Sequence, residues 1–413
     1  MALSFEPEVA CNRFRPTSSQ PLDATDKWNS SLDNAVSSIC RKIPFYIIPK
    51  LRKREDHMLL LLFVLLTFLP FVGANNEAVK VTAKPQQIYI EKGASSQHLN
   101  FDFVVENLTD DTLLVSGIEV SVLDGKEKLI LRKFVDGNGS SPSIQTVPNR
   151  ELESKKPVLI FNPFYSFAFD VELTKLRYEF SFESKDRKKQ FKSEVTVAPV
   201  YYETKTNLIL PLKGRTIVYD GHDFYAHHRR FDYMLPPLQQ LGFNSNFMRY
   251  SYDFCPVNEQ GEMYKGKAEN NEDWFGFGMP VYAPGDGKIA VSSDGMLDNR
   301  SFDESALSTK PMTLFGNYVV IDHLNGEYSV FGHLKQGSIG VKVGNVIKQG
   351  QQIARIGASG SANIPHLHYE LQNGVDTKAE GLPSYFRNFR RVLGSRVTEV
   401  KIGQVDSGDI VQR

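Results

Sequence analysis

Pro365-His366-Leu367-His368-Tyr369-Glu370 sets two imidazoles two residues apart, among apolar neighbours (Leu367, Tyr369, Leu371) that suit a strand. Side chains alternate faces along a strand, so His366 and His368 point the same way. Two imidazoles converging from one strand begin a metal site, because neutral histidine nitrogen is a preferred zinc ligand. The plainer reading is a wet strand face carrying two polar rings, and it holds unless further donors join them. Such donors lie upstream. His333 ends Gly326-Glu327-Tyr328-Ser329-Val330-Phe331-Gly332-His333, and Tyr219–Arg230 holds His222, His227 and His228 in a chain with 9 histidines. Acids are available too: Asp232 follows His228 by four residues, and Asp253 sits inside the alternating run Arg249-Tyr250-Ser251-Tyr252-Asp253-Phe254. Two histidines and a carboxylate on zinc leave one position for water, the arrangement of a catalytic rather than a structural site. Zinc brings the pKa of such a water to roughly 7. Further imidazoles, which titrate near neutral pH, suit the proton transfers that hydrolysis needs.

These residues must be positioned by strands, because helical periodicity is almost absent from the second region, residues 203–385. Phe277–Ile289 reads as strand, tight turn, strand. Gly316–His323 and Gly326–Leu334 read as a hairpin about Asn325-Gly326. Val341–Ile347 and Gln352–Ala354 add further strands, and Gly357–Asn363 is a turn-rich run before the paired histidines. His323 is expected to face solvent. Asn317 and Ser359 are expected in turn roles, and Tyr369 and Glu370 either orient ligands or serve as ordinary strand residues. Residues 386–413 read as a tail, a trailing strand with solvated Arg387, Arg390, Arg391 and Arg396.

At 413 residues the chain has room for two domains. Lys plus Arg and Asp plus Glu both total 48, so charge makes no case for a nucleic-acid partner. Residues 78–200 read as seven or so short alternating strands separated by turns such as Asp136-Gly137-Asn138-Gly139, which predicts an immunoglobulin-like β-sandwich. No catalytic spacing occurs in it, and a spacer or binding module is the default. Residues 1–57 read as a poorly ordered leader. Residues 58–74 combine a basic flank, a short apolar run and small residues at Val72 and Ala74, which predicts a signal peptide or a signal anchor in the membrane. The expected location is therefore exported: periplasmic, cell-envelope or secreted. Cys11, Cys40 and Cys255 match no zinc or disulfide pattern.

Taken in order, Gly278-Met279-Pro280-Val281-Tyr282-Ala283-Pro284, Asp286-Gly287, Gly316-Asn317-Tyr318-Val319-Val320-Ile321, Gly332-His333-Leu334, Ser359-Gly360 and Pro365-His366-Leu367-His368 resemble the catalytic domain of lysostaphin/LytM-type zinc metallopeptidases. The resemblance implies a β-sheet-rich LytM-like peptidase domain over roughly 205–385 and says nothing about residues 1–200. Together with the N-terminal sandwich read from the strand pattern, the chain is expected to be mostly β. The resemblance also implies one zinc ion, with His368 as a ligand and His333 and His366 as catalytic histidines. The family's upstream pattern, His-x-x-x-Asp, is met literally by His228 and Asp232. Asp253 instead resembles a variant in which an insertion separates the histidine from an Arg-Tyr-x-x-Asp strand. The expected ligands are therefore His228, Asp253 and His368, with Asp232, His227 and His222 as the alternatives. The implied substrate is the peptide part of peptidoglycan. A non-catalytic wall-binding or hydrolase-activating module of the same fold is the rival reading, and an adhesion protein working through its sandwich is a third.

Overall fold

Strand patterning carries through to an antiparallel sheet of 11 strands in the C-terminal region of the computed structural model, which describes residues 77–303, 305, 307 and 309–413. The segments 1–57 and 58–74 expected to be leader and signal lie outside the described residues. From one edge the sheet runs Val346–Ile347, Gly287–Ser293, Asn317–Asp322, Tyr328–Leu334, Leu367–Gln372, Tyr252–Pro256 and Arg215–Asp220. It continues through Ile410–Gln412 and Phe386–Leu393 to Arg396–Gly403, with Gly381–Leu382 paired beside Leu367–Gln372. The hairpin expected about Asn325-Gly326 is present, with Gly326 at a φ of 87°. Residues 386–413 are more than a tail. They supply three strands, and Phe386, Phe389, Val392 and Val411 are buried.

The two central strands, Tyr252–Pro256 and Leu367–Gln372, are buried along their whole length. Alternation sorts their faces. Tyr252, Phe254, Leu367, Tyr369 and Leu371 enter a core with Ile321, Phe331 and Phe386. Asp253, His366, His368 and Glu370 are therefore left on the opposite face. A second apolar cluster, including Phe243, Phe247, Phe315, Val320 and Val330, flanks that face. Its partner Leu238 lies on Pro236–Gln240, an α-helix that begins with proline, a residue tolerated at the first helical position. The stretch after Asp232 is therefore helical where a ligand-bearing strand would be extended.

Residues 79–201 form 12 strands in three sheets. The first orders Val79–Lys84, Asp102–Asn107 and Pro157–Phe161. The second orders Gln190–Val197, Lys175–Ser184, Leu113–Leu123 and Leu129–Asp136, with Glu151–Leu152 beside Leu113. The third joins short segments about Tyr89–Lys92 and Gln97–Leu99. Val105, Val120, Phe103, Tyr178 and Phe180 share one core. The strand count exceeds the seven or so anticipated because pairings two or three residues long leave no alternation to read. An immunoglobulin-like arrangement remains a proposal for the first two sheets. The described residues together make one compact unit, so this region meets the large sheet directly.

Candidate metal centre

Register lines up the site. Asp253 pairs with His368, His368 pairs in turn with Gly332, and Asp220 pairs with Asp253 on the other side. A row across four strands thus carries two carboxylates and an imidazole. Gly332 belongs in that row because a Cβ there would stand 3.3 Å from the Cβ of His368 and 3.1 Å from the Phe315 ring. Three imidazoles converge on a single atom, Asp253 Oδ1: His368 Nδ1 at 3.1 Å, His366 Nε2 at 3.3 Å and His228 Nε2 at 3.5 Å. The His333 ring is 4.7 Å from that of His366 and 5.7 Å from that of His368.

Each ring is oriented by a contact at its other nitrogen. His333 Nδ1 bonds the Ser359 carbonyl at 2.8 Å, and His366 Nδ1 bonds the Ile364 carbonyl at 2.7 Å. In both the Nε2 atom is left for the site. His368 Nε2 stands 3.5 Å from Glu370 Oε2, which itself accepts a bond of 2.6 Å from Ser251. His228 Nδ1 stands 3.0 Å from Asp220 Oδ2, and the mostly exposed His227 reaches the same oxygen at 2.7 Å. His333 has a φ of 56°, a left-handed backbone that costs a non-glycine residue about 1–2 kcal/mol. Such strain persists only where the surroundings fix it. Part of the fixing comes from the loop behind. Ser359 Oγ accepts the Asn317 amide at 2.9 Å and donates to the Leu334 carbonyl at 2.8 Å.

Charge follows this geometry. Burial alone would raise Asp253, but the imidazoles of His228 and His366, with hydrogen bonds from His366 and His368, hold its carboxyl well below the usual range. Burial pushes His228 down, and the pull of Asp253 only partly offsets this. Burial and the neighbouring His366 and His368 hold His333 well below an ordinary histidine. For His368 burial acts downward, yet its bonds to Asp253 and Glu370 prevail and raise it to about 9. A proton there must leave when a metal binds. Cys255, next along the strand but one, is raised by burial and then by Asp253, and so is an inert thiol.

The donor set fits a metal ion. Donors about 2.0–2.1 Å from a tetrahedral zinc stand roughly 3.3 Å from one another. The separations of His368 Nδ1 and His228 Nε2 from Asp253 Oδ1, 3.1 and 3.5 Å, fall around that value. Donor atoms of Asp220, His227, His228 and Asp253 also lie within 4.8 Å of one another. Within that group Asp220 meets the Nδ1 side of His228, whereas Asp253 meets its Nε2 side. The cluster opens into a cleft of about 1070 Å³, whose walls include Phe231, Leu238, Met248, Leu314 and Phe315.

The structure brings together His228, Asp253, His333, His366 and His368. Asp232 lies elsewhere, accepting the Met234 amide at 3.0 Å. His222 is buried with its Nδ1 2.8 Å from Glu91 Oε2. His323, expected at the surface, is also buried, bonding the Asp286 carbonyl at 2.7 Å and Ser329 Oγ at 2.8 Å. The hairpin strand ends against Asp286, and burial there outweighs the polarity of the ring. Asp220 escaped sequence reading. Its one signal was its place seven residues before His227, at the end of an alternating strand.

Residues 273–379 match the peptidase family M23. The matched stretch contains His333, His366 and His368 and begins after Asp253. Peptidoglycan DD-endopeptidase ShyC of Vibrio cholerae is 33% identical over 132 residues, covering 32% of this chain and 26% of ShyC. Cell division protein DipM of Caulobacter vibrioides is 30% identical over 119 residues, covering 29% of this chain and 17% of DipM. The chain thus spans about a quarter or less of the length of these curated relatives. Among solved structures, the catalytic domain of lysostaphin from Staphylococcus simulans aligns at 22% identity and a TM-score of 0.22, over 34% of this chain and 79% of that one.

Proposed function

We propose, from a chain whose residues 273–379 form a peptidase family M23 domain, that the protein is a zinc endopeptidase cutting peptide bonds in peptidoglycan. The observation that carries the reading is the convergence of His228, His366 and His368 on Asp253 Oδ1, beside His333 and at the floor of a wide cleft. His228, Asp253 and His368 are the ligands in this proposal. They come from a loop and two adjacent strands, and each of the two histidines has a carboxylate behind it, as metal-bound imidazoles commonly do. When bound, zinc supplies Lewis acidity toward a water and the scissile carbonyl.

His333 and His366 do the proton work. Each ties its Nδ1 to a backbone carbonyl, so each offers Nε2 to the cleft at a fixed orientation. One accepts the proton of the attacking water and the other donates toward the departing amine. The apolar walls orient the peptide and exclude bulk water. ShyC and its namesakes, peptidoglycan DD-endopeptidases by name, support the substrate class and a cell-envelope location. The test uses the full chain: bound zinc is measured, and cleavage of purified peptidoglycan is followed beside a His366→Ala control. Stoichiometric zinc with release of peptide fragments, lost in the control, is the expected result. Zinc without cleavage favours the wall-binding reading, and absence of zinc removes the proposal.

A further inference from the structure

We propose that the N-terminal β region is a working part of the metal centre, and that Asp102 is the positioning residue through which it acts. The inference rests on the metal reading of the cluster above. Asp102 is fixed by its own sheet, paired with Phe161 on one side and Lys84 on the other, and its side chain is fully buried. Its two oxygens each hold a different arginine at 2.6 Å: Oδ1 takes Arg229 Nη1 and Oδ2 takes Arg249 Nη1. Arg229 immediately follows His228 in the chain, and Arg249 begins the run that leads to Asp253. One carboxylate from the first region therefore anchors both segments that bring upstream donors to the site.

The surrounding bonds make this a built joint. Arg229 Nη2 also donates to the Phe101 carbonyl at 2.7 Å, and Asn100 Nδ2 donates to the Arg249 carbonyl at 2.9 Å. Arg249 Nε is paired with Glu380 at 2.5 Å. The two ligand segments depend on the joint unequally. Asp253 lies in a strand whose register already fixes it. His228 lies in a turn with no strand register, and its backbone is held by Asn246 Nδ2, which donates to the His228 carbonyl at 3.1 Å. Without the Asp102 charge, the two fully buried guanidiniums lose the carboxylate they share, and among the ion pairs of the described residues only the Arg249–Glu380 pair remains to them. Arg229 is the freer of the two to move, and His228 moves with it.

The test measures zinc affinity of the full chain by competition with a chromophoric chelator, alongside thermal stability. Asp102→Asn is expected to weaken zinc about tenfold, the low end of what losing a direct partner of a ligand costs, because Asp102 acts one contact further out. Arg229→Lys keeps the charge but gives up the planar fork that spans Asp102 and Phe101, and it should shift affinity the same way. It also carries the test if Asp102→Asn does not fold. Val120→Ala, a cavity in the N-terminal core at a residue that makes none of these hydrogen bonds or ion pairs, controls for stability alone. It should lower Tm and leave zinc affinity unchanged. Wild-type affinity in both Asp102→Asn and Arg229→Lys overturns the inference, as does an equal loss in Val120→Ala. A wild-type chain that binds no zinc instead overturns the metal reading itself.

Discussion

Asp253 and His368 are register partners on adjacent antiparallel strands, and their side chains meet at 3.1 Å on the face away from the core. A donor pair set by strand register is rigid, so its loss has no local substitute. Asp253→Ala and His368→Ala are expected to bring bound zinc well below one per chain, as is His228→Ala. Asp232→Ala should keep zinc, because its carboxylate caps a turn at Met234. Elemental analysis after dialysis decides this. Zinc lost in Asp232→Ala and kept in Asp253→Ala would reverse the ligand assignment.

His333 and His366 are expected to separate chemistry from metal binding. Each has Nδ1 spent on a carbonyl and Nε2 toward the cleft, so truncation removes a proton carrier and no ligand. His333→Ala and His366→Ala should retain zinc and lose about 10²–10⁴-fold in kcat, with KM little changed. Activity within a few-fold of wild type in either variant would remove that histidine from the proton relay.

The strand-borne half of the site was legible from alternation alone. His366 and His368 two apart, with Leu367 and Tyr369 between and beside them, had to share a face, and they do. The hairpin at Asn325-Gly326 was also readable, whereas the pairings that align Asp253, His368 and Gly332 were not. Less of the loop-borne half could be read. His228 was chosen among three histidines on spacing resemblance, since a turn has no periodicity to say which ring points inward. His323 was misplaced because a histidine near a hairpin turn looks solvated until Asp286 and Ser329 are seen to enclose it. Asp102 and Glu91 gave no local signal. Each acts on a partner more than a hundred residues away, a relation that only the assembled fold contains.

Asp220 is expected to govern how well His228 serves as a ligand. Its Oδ2 stands 3.0 Å from His228 Nδ1, an ion-pair contact whose negative charge favours a proton on that nitrogen. Asp220→Asn should weaken zinc by about 10–100-fold. His227→Ala, which removes the competing exposed ring at 2.7 Å from the same oxygen, should not weaken it. Chelator competition measures both. A larger loss in His227→Ala than in Asp220→Asn would make His227 a ligand.

The loop behind His333 depends on two glycines in contact. Gly316 and Gly360 have φ values of 66° and 71°. A Cβ on Gly360 would fall 2.3 Å from the Gly316 amide nitrogen, and one on Gly316 would fall 2.4 Å from the Ser359 carbonyl carbon. Neither neighbour is a flexible side-chain tip. Gly360→Ala is therefore expected to cost at least about 2 kcal/mol in denaturant unfolding, from left-handed strain plus overpacking. It should also lower activity by moving Ser359, whose carbonyl orients His333. An unchanged denaturation midpoint would show that the two loops can separate without loss.

Stability should fall as the medium turns alkaline, and His222 contributes to that slope. Burial acts to lower this ring, but Glu91, 2.8 Å from its Nδ1, and Asp406 outweigh it and raise it from 6.5 to about 10. The folded state therefore keeps a proton that the unfolded chain gives up above pH 6.5. The clasp's contribution is complete below that pH and drains away as pH rises toward about 10, at up to about 1.4 kcal/mol per pH unit. Urea midpoints measured from pH 6 upward should decline through this window in the wild type. Glu91→Gln removes the charge that raises the ring, so it should start lower at neutral pH and give a flatter profile. If Glu91→Gln declines as steeply as wild type, the proton is held by some other group and the clasp is not the source of the slope.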